Sequence, residues 1–435
     1  MLWVSEHGQI VKGQRNCILD KGNLQLGELD FEALLSLLDF SDEDSPDFER
    51  FFFYARPHGQ DTLKIRNYVG VLRTETGTQI EVLPKISKAD NPLACRALLV
   101  KMLMELEDSP FLEGAAADLE AHQMPLFEVL LRQFLKHTTE IARKGIARAY
   151  QTYRADCLFL RGKLQISEHI RRNAIRSDRM YCEFDEYEID RPINRLIKGA
   201  LEIVAKATMD ATNQQLCREL LFLFDAVPTT KDIALDFSRI QRDRLIQHYE
   251  PAMPSCRMIL EKLNPLTMQG HRRASAMLFP MERVFESYVG AKLSQRLGGW
   301  KTRAQIGGKA LVERHVEGKI FGLRPDFELR LGTRRLIADT KWKLIDQGNR
   351  SNNYGISQND IYQLFAYAQK YLQGQGRKEV ILIYPKTDRF RAPLSPFWYR
   401  DSDEVLFVLP FDLDEDRLIV HADCSLIRGL HVIAS

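Results

Sequence analysis

The sequence predicts a mixed α/β chain: a β-rich N-terminal region, a mainly helical middle region, and a C-terminal domain in which helices pack on a sheet. Three observations predict it. Residues 68–86 hold two extended runs around Thr76-Gly77-Thr78, the pattern of a hairpin. Between residue 92 and about 144, apolar residues recur at helical spacing: Leu98, Leu99, Met102, Leu103 and Leu106, then Leu126, Val129, Leu130, Phe134 and Leu135. From about Met268 onward, helical and extended segments alternate, the order from which a sheet flanked by helices is built.

A chain of 435 residues suits two or three domains, and the pattern divides it at 1–88, 89–267 and 268–435. In the first region, the acidic run from Ser41 to Asp47 lacks apolar periodicity and reads as a loop. In the middle region, residues 147–165 form a short extended segment, and helices follow at about 191–206 and 214–225. The last region reads as a helix at about 279–297, strands near 310–330 and 335–345, a helix at about 358–372, a strand at 379–384 and an extended tail at 405–409.

Apolar residues make up 45% and charged residues 28%, values of a chain with buried cores rather than a disordered one. The net charge is only +2, from 61 basic and 59 acidic residues, so any nucleic-acid contact is local or shared with a partner. Seven cysteines stand at 17, 95, 157, 182, 217, 256 and 424, with no CxxC pair. That spacing argues against a zinc site or a disulfide framework and for reduced thiols in a cytoplasmic protein. Residues 1–13 lack the basic segment and apolar core of a signal peptide, and no apolar stretch approaches the roughly 18 residues a membrane helix needs, so a soluble chain without membrane contact is expected. No GxxxxGK[ST] loop is present, so the chain is not expected to hydrolyse nucleotide itself.

Residues 324–344 carry the chemistry. Phe327, Leu329 and Leu331 alternate with Asp326, Glu328 and Arg330, and Gly332-Thr333 follows as a two-residue turn with glycine first, as a type II′ turn prefers. On the returning strand, Asp339 and Lys341 share a face. A two-residue loop sets Asp326 opposite Asp339, with Cβ atoms about 4.5–5.5 Å apart. A four-residue loop would set Asp326 opposite Lys341 instead. Both registers bring the three to one face. Two carboxylates so close repel each other unless a cation neutralises them. Mg2+, for which Mn2+ can substitute, favours a few carboxylate or carbonyl oxygens and keeps several waters. A neighbouring lysine can orient the attacking water and offset charge on a phosphate, the chemistry of metal-assisted phosphodiester hydrolysis. A merely solvated hairpin face would show the same alternation, so the flanking segments have to decide.

Those segments resemble the PD-(D/E)xK restriction-endonuclease-like core: a helix, a hairpin bearing Pro325-Asp326 and then Asp339-Thr340-Lys341, a second helix and a strand. The resemblance implies a glutamate from the first helix. Glu282 and Glu286 stand four apart on one face, and Glu286 is preferred. Gln363 and Tyr367, also four apart, resemble the QxxxY pair that lies beside the active site in several of these nucleases.

The order of further short motifs is similar to McrC, the nuclease subunit of the McrBC modification-dependent (type IV) restriction system. They are Ile80-Glu81-Val82-Leu83-Pro84-Lys85-Ile86, Arg161-Gly162-Lys163-Leu164 with Ile170-Arg171, and Phe184-Asp185-Glu186 with Asn194-Arg195-Leu196-Ile197-Lys198. Gln358-Asn359-Asp360-Ile361-Tyr362-Gln363-Leu364 and Ile381-Leu382-Ile383-Tyr384-Pro385 complete the set. The resemblance implies a Mg2+-dependent endodeoxyribonuclease whose metal is held by Asp326, Asp339 and the backbone carbonyl of Thr340, with Lys341 beside the water. It implies a hexameric McrB-like AAA+ GTPase partner, stimulated by the non-nuclease part of the chain. It also implies modified DNA as substrate, with recognition delegated to the motor. Six cations, Arg161, Lys163, Arg171, Arg172, Arg176 and Arg179, against Glu168 and Asp178 are candidates for contact with DNA phosphate or with the motor, or form a solvated face. His271-Arg272-Arg273 is a further candidate phosphate contact. Two other readings stay open: a noncatalytic activator or scaffold of an AAA+ motor, and a stand-alone repair nuclease of the same superfamily.

Overall fold

The continuous apolar runs at residues 380–384 and 405–409 belong to strands buried on both faces, as the centre of a parallel sheet requires. The computed structural model describes residues 2–36, 51–85, 91–106, 124–176, 178–240, 244–262, 274–315, 318–399 and 403–427. The acidic run 41–47 and His271-Arg272-Arg273 lie outside the described residues.

In chain order, β1 (Leu2–Ser5), β2 (Gln9–Gly13), β3 (Cys17–Leu19) and β4 (Asn23–Gly27) lead to α1 (Glu28–Leu35). Then come β5 (Phe52–Ala55), β6 (Thr62–Ile65), β7 (Tyr68–Thr74), β8 (Gln79–Leu83) and α2 (Pro92–Leu103). The middle of the chain forms α3 (Leu126–Lys144), β9 (Ala149–Cys157), β10 (Lys163–Leu164), α4 (Ile166–Asn173), β11 (Met180–Glu188), α5 (Pro192–Ala207), α6 (Ala211–Leu223), α7 (Ile233–Ser238) and α8 (Met253–Lys262). The remainder forms β12 (Ala274–Pro280), α9 (Met281–Arg296), β13 (Lys301–Ala304), β14 (Lys309–His315), β15 (Gly318–Leu323), β16 (Phe327–Leu331) and β17 (Arg334–Thr340). The last elements are α10 (Gln358–Tyr371), β18 (Lys378–Pro385), β19 (Phe397–Trp398), β20 (Glu404–Asp412) and β21 (Arg417–Leu418).

Packing gathers these elements into two units. One holds Met1–Ser109, Glu113–Leu126 and Arg272–Ser435; the other holds Pro110–Leu112 and Phe127–His271. The first and last regions of the chain therefore share a unit. The link is a strand pair: β12 runs antiparallel to β7 inside the sheet ordered β1-β8-β7-β12. Gly70 permits this pairing, since a Cβ there would lie 2.0 Å from the Met277 carbonyl oxygen. A second sheet of the same unit, β3-β4-β2-β6-β5, shares a core with it through Val4, Leu26, Phe31, Leu63, Ile80 and Leu278.

The main sheet of this unit is ordered β13-β16-β17-β18-β20-β19, with β21 on β20. The central strands β17, β18 and β20 run parallel, and β13, β16 and β17 pair antiparallel. α9 buries Met281, Val284, Phe285, Tyr288, Val289 and Leu293, and α10 buries Leu364, Tyr367, Ala368 and Tyr371, both at helical period. Gly290 lets α9 approach the sheet, because a Cβ there would stand 2.7 Å from the Phe327 ring.

Several expected elements take a different form. The strand expected near 310–330 is a separate hairpin, β14–β15, followed by β16. Phe321 in the left-handed region and Pro325, which lacks an amide donor, interrupt any continuous strand there. The strand expected at 335–345 ends at Thr340, where the chain leaves the sheet. The expected tail at 405–409 is part of β20, all nine of whose residues are buried. The other unit carries the three-stranded sheet β10-β11-β9 and helices α3 to α8. Its α3 and α6 regions are tied by buried Glu128, which accepts hydrogen bonds from Thr208 Oγ1 (2.6 Å) and Asn213 Nδ2 (2.9 Å). None of the seven cysteines forms a disulfide. Among the described residues, no helix is long and apolar enough to cross a membrane.

Candidate active site

The β16–β17 hairpin turns on Gly332-Thr333, and of the two only Gly332 has a positive φ, 59°, as a type II′ turn requires. Its pairs run from Leu331↔Arg334 to Phe327↔Ala338. That is the two-residue-loop register, and one step beyond it Asp326 faces Asp339. Glu328, on the same alternation as Asp326, is not solvated: it is 2% exposed and its Oε2 lies 2.8 Å from Arg330 Nε.

Asp339 sits in the middle of the sheet, paired on its other side with Leu382 of β18, and is 1% exposed. Its Oδ2 is buried and forms an ion pair with Lys341 Nζ at 2.6 Å. Asp326 is held differently. Its Oδ2 accepts from Thr340 N (2.7 Å) and Thr340 Oγ1 (2.6 Å).

The electrostatics follow from this placement. Burial, then the charge of Asp326, pushes the Asp339 carboxyl up to about 7, and Lys341 only partly opposes them. Burial also raises Asp326, against the pull of the Thr340 hydroxyl and amide. Burial works against the Lys341 charge, but the neighbouring Asp339 and Asp326 hold its ammonium above the usual lysine value. One cation is thus outweighed by crowded, buried acids.

Glu286, half-buried on α9, feels the same field. Burial and then Asp326 raise its carboxyl above the ordinary range, while a 3.1 Å hydrogen bond from Gln305 Nε2 lowers it. Glu282, one turn earlier, is exposed. On α10, Gln363 Nε2 donates to Tyr367 Oη at 2.7 Å, and Tyr367 Oη donates to the Arg324 carbonyl at 3.1 Å. This pair therefore touches the backbone of the Arg324-Pro325-Asp326 segment and orients it.

Sequence reasoning missed three contributors. Gln305 donates its amide to the Asp326 carbonyl at 2.7 Å, and its side chain links Glu286 to Arg324. It does so with φ at 46°, a strained backbone of the kind found at functional sites. Asp360, at the start of α10, adds negative field to both Asp339 and Lys341. The Thr340 hydroxyl was overlooked beside its carbonyl. The glycine pair after Gln305-Ile306 was the one available hint of an unusual backbone.

The residues present fit a hard divalent cation. Among the described residues, no three His, Cys, Asp or Glu side chains form a cage. What exists is a buried carboxylate pair that one lysine offsets only in part, the donor set Mg2+ takes when it keeps waters. The weaker candidates lie in the other unit, around α4 and β11. Arg161 pairs with Glu186 at 2.6 Å and lies over the Phe184 ring, and Arg171 and Arg172 both reach Glu168 at 3.0 Å. Lys163 is exposed on β10.

The family model described as McrBC 5-methylcytosine restriction system component matches residues 63–385. Two solved structures share the fold. One is a chain of a refined half-complex from a tetradecameric assembly of Thermococcus gammatolerans McrB AAA+ hexamers with bound McrC, with TM-score 0.68 and 18% identity over 99% of each chain. The other is a chain of the Thermococcus gammatolerans McrBC complex, with TM-score 0.51 and 20% identity over 70% of this chain and 89% of that one. At these identities the likeness is one of fold. No curated protein matches the sequence.

Proposed function

The chain belongs to the McrBC 5-methylcytosine restriction system component family, and from that premise we propose that it is the DNA-cleaving subunit of a McrBC-like complex, a Mg2+-dependent endodeoxyribonuclease with a PD-(D/E)xK core. The observation that carries the reading is the buried Asp326–Asp339 pair on one hairpin, with Lys341 2.6 Å from Asp339. A buried carboxylate with a second one opposite, offset only in part by one lysine, is costly unless a further cation completes it. Asp326, Asp339 and the Thr340 carbonyl are the ligands we assign, and Mn2+ would serve in place of Mg2+. The bound ion would lower the pKa of an attacking water and take up charge on the phosphate. Lys341 orients that water and faces the developing charge. Glu286 extends the acidic field on the α9 side, and Gln363 with Tyr367 sets the height of the Asp326 segment.

The same reading assigns a hexameric McrB-like AAA+ GTPase as partner and modified DNA as substrate. In support, two structural neighbours are described as McrB–McrC assemblies. The unit spanning Phe127–His271 also exposes Leu158, Phe159, Leu160, Ile166 and Ile170 beside Arg161, Lys163, Arg171 and Arg172. Apolar and basic residues so exposed suit a partner surface.

Asp339→Ala tests the assignment. With the motor subunit and GTP, this variant should lose cleavage of methylated DNA by about a thousandfold or more, on the scale expected when a metal ligand is removed, while still raising the partner's GTPase rate. Normal cutting by the variant sinks the reading.

A further inference from the structure

The first five dozen residues precede the stretch matched to the family, yet one of their side chains reaches the residue next to Lys341. β1 runs parallel to β8, and just past its end Glu6 N donates to the Leu83 carbonyl at 2.7 Å. The Glu6 side chain is 1% exposed. Its Oε2 accepts from Trp342 Nε1 at 2.8 Å and from Lys85 N at 3.4 Å. Its Oε1 makes no hydrogen bond, with His7 Nε2 3.3 Å away.

The position of Trp342 gives this contact its consequence. β17 ends at Thr340, and Lys341 N to the Ile383 carbonyl (2.9 Å) continues the sheet's hydrogen bonding one residue beyond it. Neighbouring residues of an extended segment point to opposite sides. A clamp on Trp342 therefore sets the backbone from which Lys341 reaches Asp339. The indole also lies 5.2 Å from the ring of Phe285, the residue before Glu286. The sheet β1-β8-β7-β12 supports the other wall too, because β12 runs directly into α9 and Met281 N donates to the Asn67 carbonyl at 3.0 Å.

We propose that Glu6 and Trp342 are positioning residues for Lys341, so that the N-terminal sheet is part of the catalytic frame rather than an appendage. The proposal rests on the nuclease reading for its kinetic consequence, but its geometric core does not. Trp342→Phe keeps the ring against Phe285 and removes the donor. Glu6→Ala removes the acceptor, and Glu6→Gln keeps one.

In the full chain with its motor subunit, GTP and methylated DNA, Trp342→Phe and Glu6→Ala should lower kcat about tenfold with KM within about twofold, and Glu6→Gln should cut at near the wild-type rate. A second readout needs no cleavage: the rate at which a soluble acylating reagent labels Lys341, followed by peptide mass spectrometry in Mg2+-free buffer. Labelling should accelerate in Trp342→Phe and Glu6→Ala but not in Glu6→Gln. Wild-type labelling of Lys341 in both disruptive variants overturns the proposal. So does a loss of kcat that merely tracks the folded fraction measured by thermal melting. Should Asp339→Ala cut normally, the nuclease reading fails separately, and the labelling rates alone decide the clamp.

Discussion

Two buried aspartates in the same unit are accommodated in opposite ways. Asp30, on α1, is 7% exposed and is ringed by donors: Thr74 Oγ1 at 2.7 Å, Thr78 Oγ1 at 2.9 Å, Asn16 Nδ2 at 2.6 Å and the Thr76 hydroxyl. Burial raises its carboxyl, but the hydrogen bonds from Thr76, Asn16, Thr74 and Thr78 outweigh burial and leave it below the ordinary value. Asp339 is buried as deeply, has another carboxylate opposite it and is met by the Lys341 ammonium at 2.6 Å. Its carboxyl is raised to about 7. Asp30 is a structural knot joining α1 to the β7–β8 turn. Asp339 is held against a second carboxylate with one lysine beside it, at a cost in stability that a divalent cation can relieve.

Substituting each by alanine gives the largest contrast. Asp339→Ala should abolish cleavage, as above, and melt at or above the wild-type temperature in metal-free buffer. Asp30→Ala should do the reverse. It leaves three hydroxyls and an amide without their acceptor and should cost about 2–4 kcal/mol, read by urea denaturation. Its cleavage rate per folded molecule should stay within about twofold. If Asp30→Ala instead abolishes cleavage while folding normally, the division between knot and site is wrong.

The pH dependence sharpens the contrast. A carboxyl raised on folding adds no penalty below its unfolded value and destabilises the native state as pH climbs toward its folded value. Asp339 should therefore cost the metal-free protein stability between about pH 4 and 7, on the order of a few kcal/mol, and Asp339→Asn should flatten that slope. Mg2+ should restore the wild type most strongly above pH 7 and leave Asp339→Asn unmoved. Asp30, being lowered, contributes stability that is present above its unfolded value and lost as pH falls through its folded one, so Asp30→Asn should flatten the acid limb instead. Thermal melts across pH, with and without Mg2+, check both slopes.

The smallest expected effect concerns Tyr367. Tyr367→Phe removes the hydrogen bond to the Arg324 carbonyl and leaves the ring in the core, so kcat should fall about fivefold with Mg2+ affinity little changed. A fall of a hundredfold or more would place Tyr367 at the reacting atoms rather than behind Asp326.

Much of the C-terminal region was legible because its signals are local. Helical periodicity marked α9 and α10, and the apolar run marked β18. β20 was read too short and as a tail, since nothing within residues 405–409 says that two further layers will cover them. The hairpin β14–β15 was merged with β16 for a similar reason, as alternation alone does not reveal a break set by Phe321 and Pro325. Gln305 and Glu6 carry no motif, and Asp360 stands in one that does not show where it faces, so their place near the hairpin could not be read from spacing.

The sequence by itself determined that Asp326, Asp339 and Lys341 share one face, because strand alternation keeps them together in either hairpin register. It did not determine which glutamate of α9 comes near Asp326. Glu282 and Glu286 lie on the same helical face, and only the docking of α9 on the sheet brings Glu286 to Gln305 and leaves Glu282 in solvent. It could not reveal how deeply the Asp339 carboxyl is buried, or that a glutamate near the N-terminus holds the residue after Lys341. The first depends on the elements packed around the sheet, and the second on a contact between residues 336 apart, which arises only when the whole unit packs.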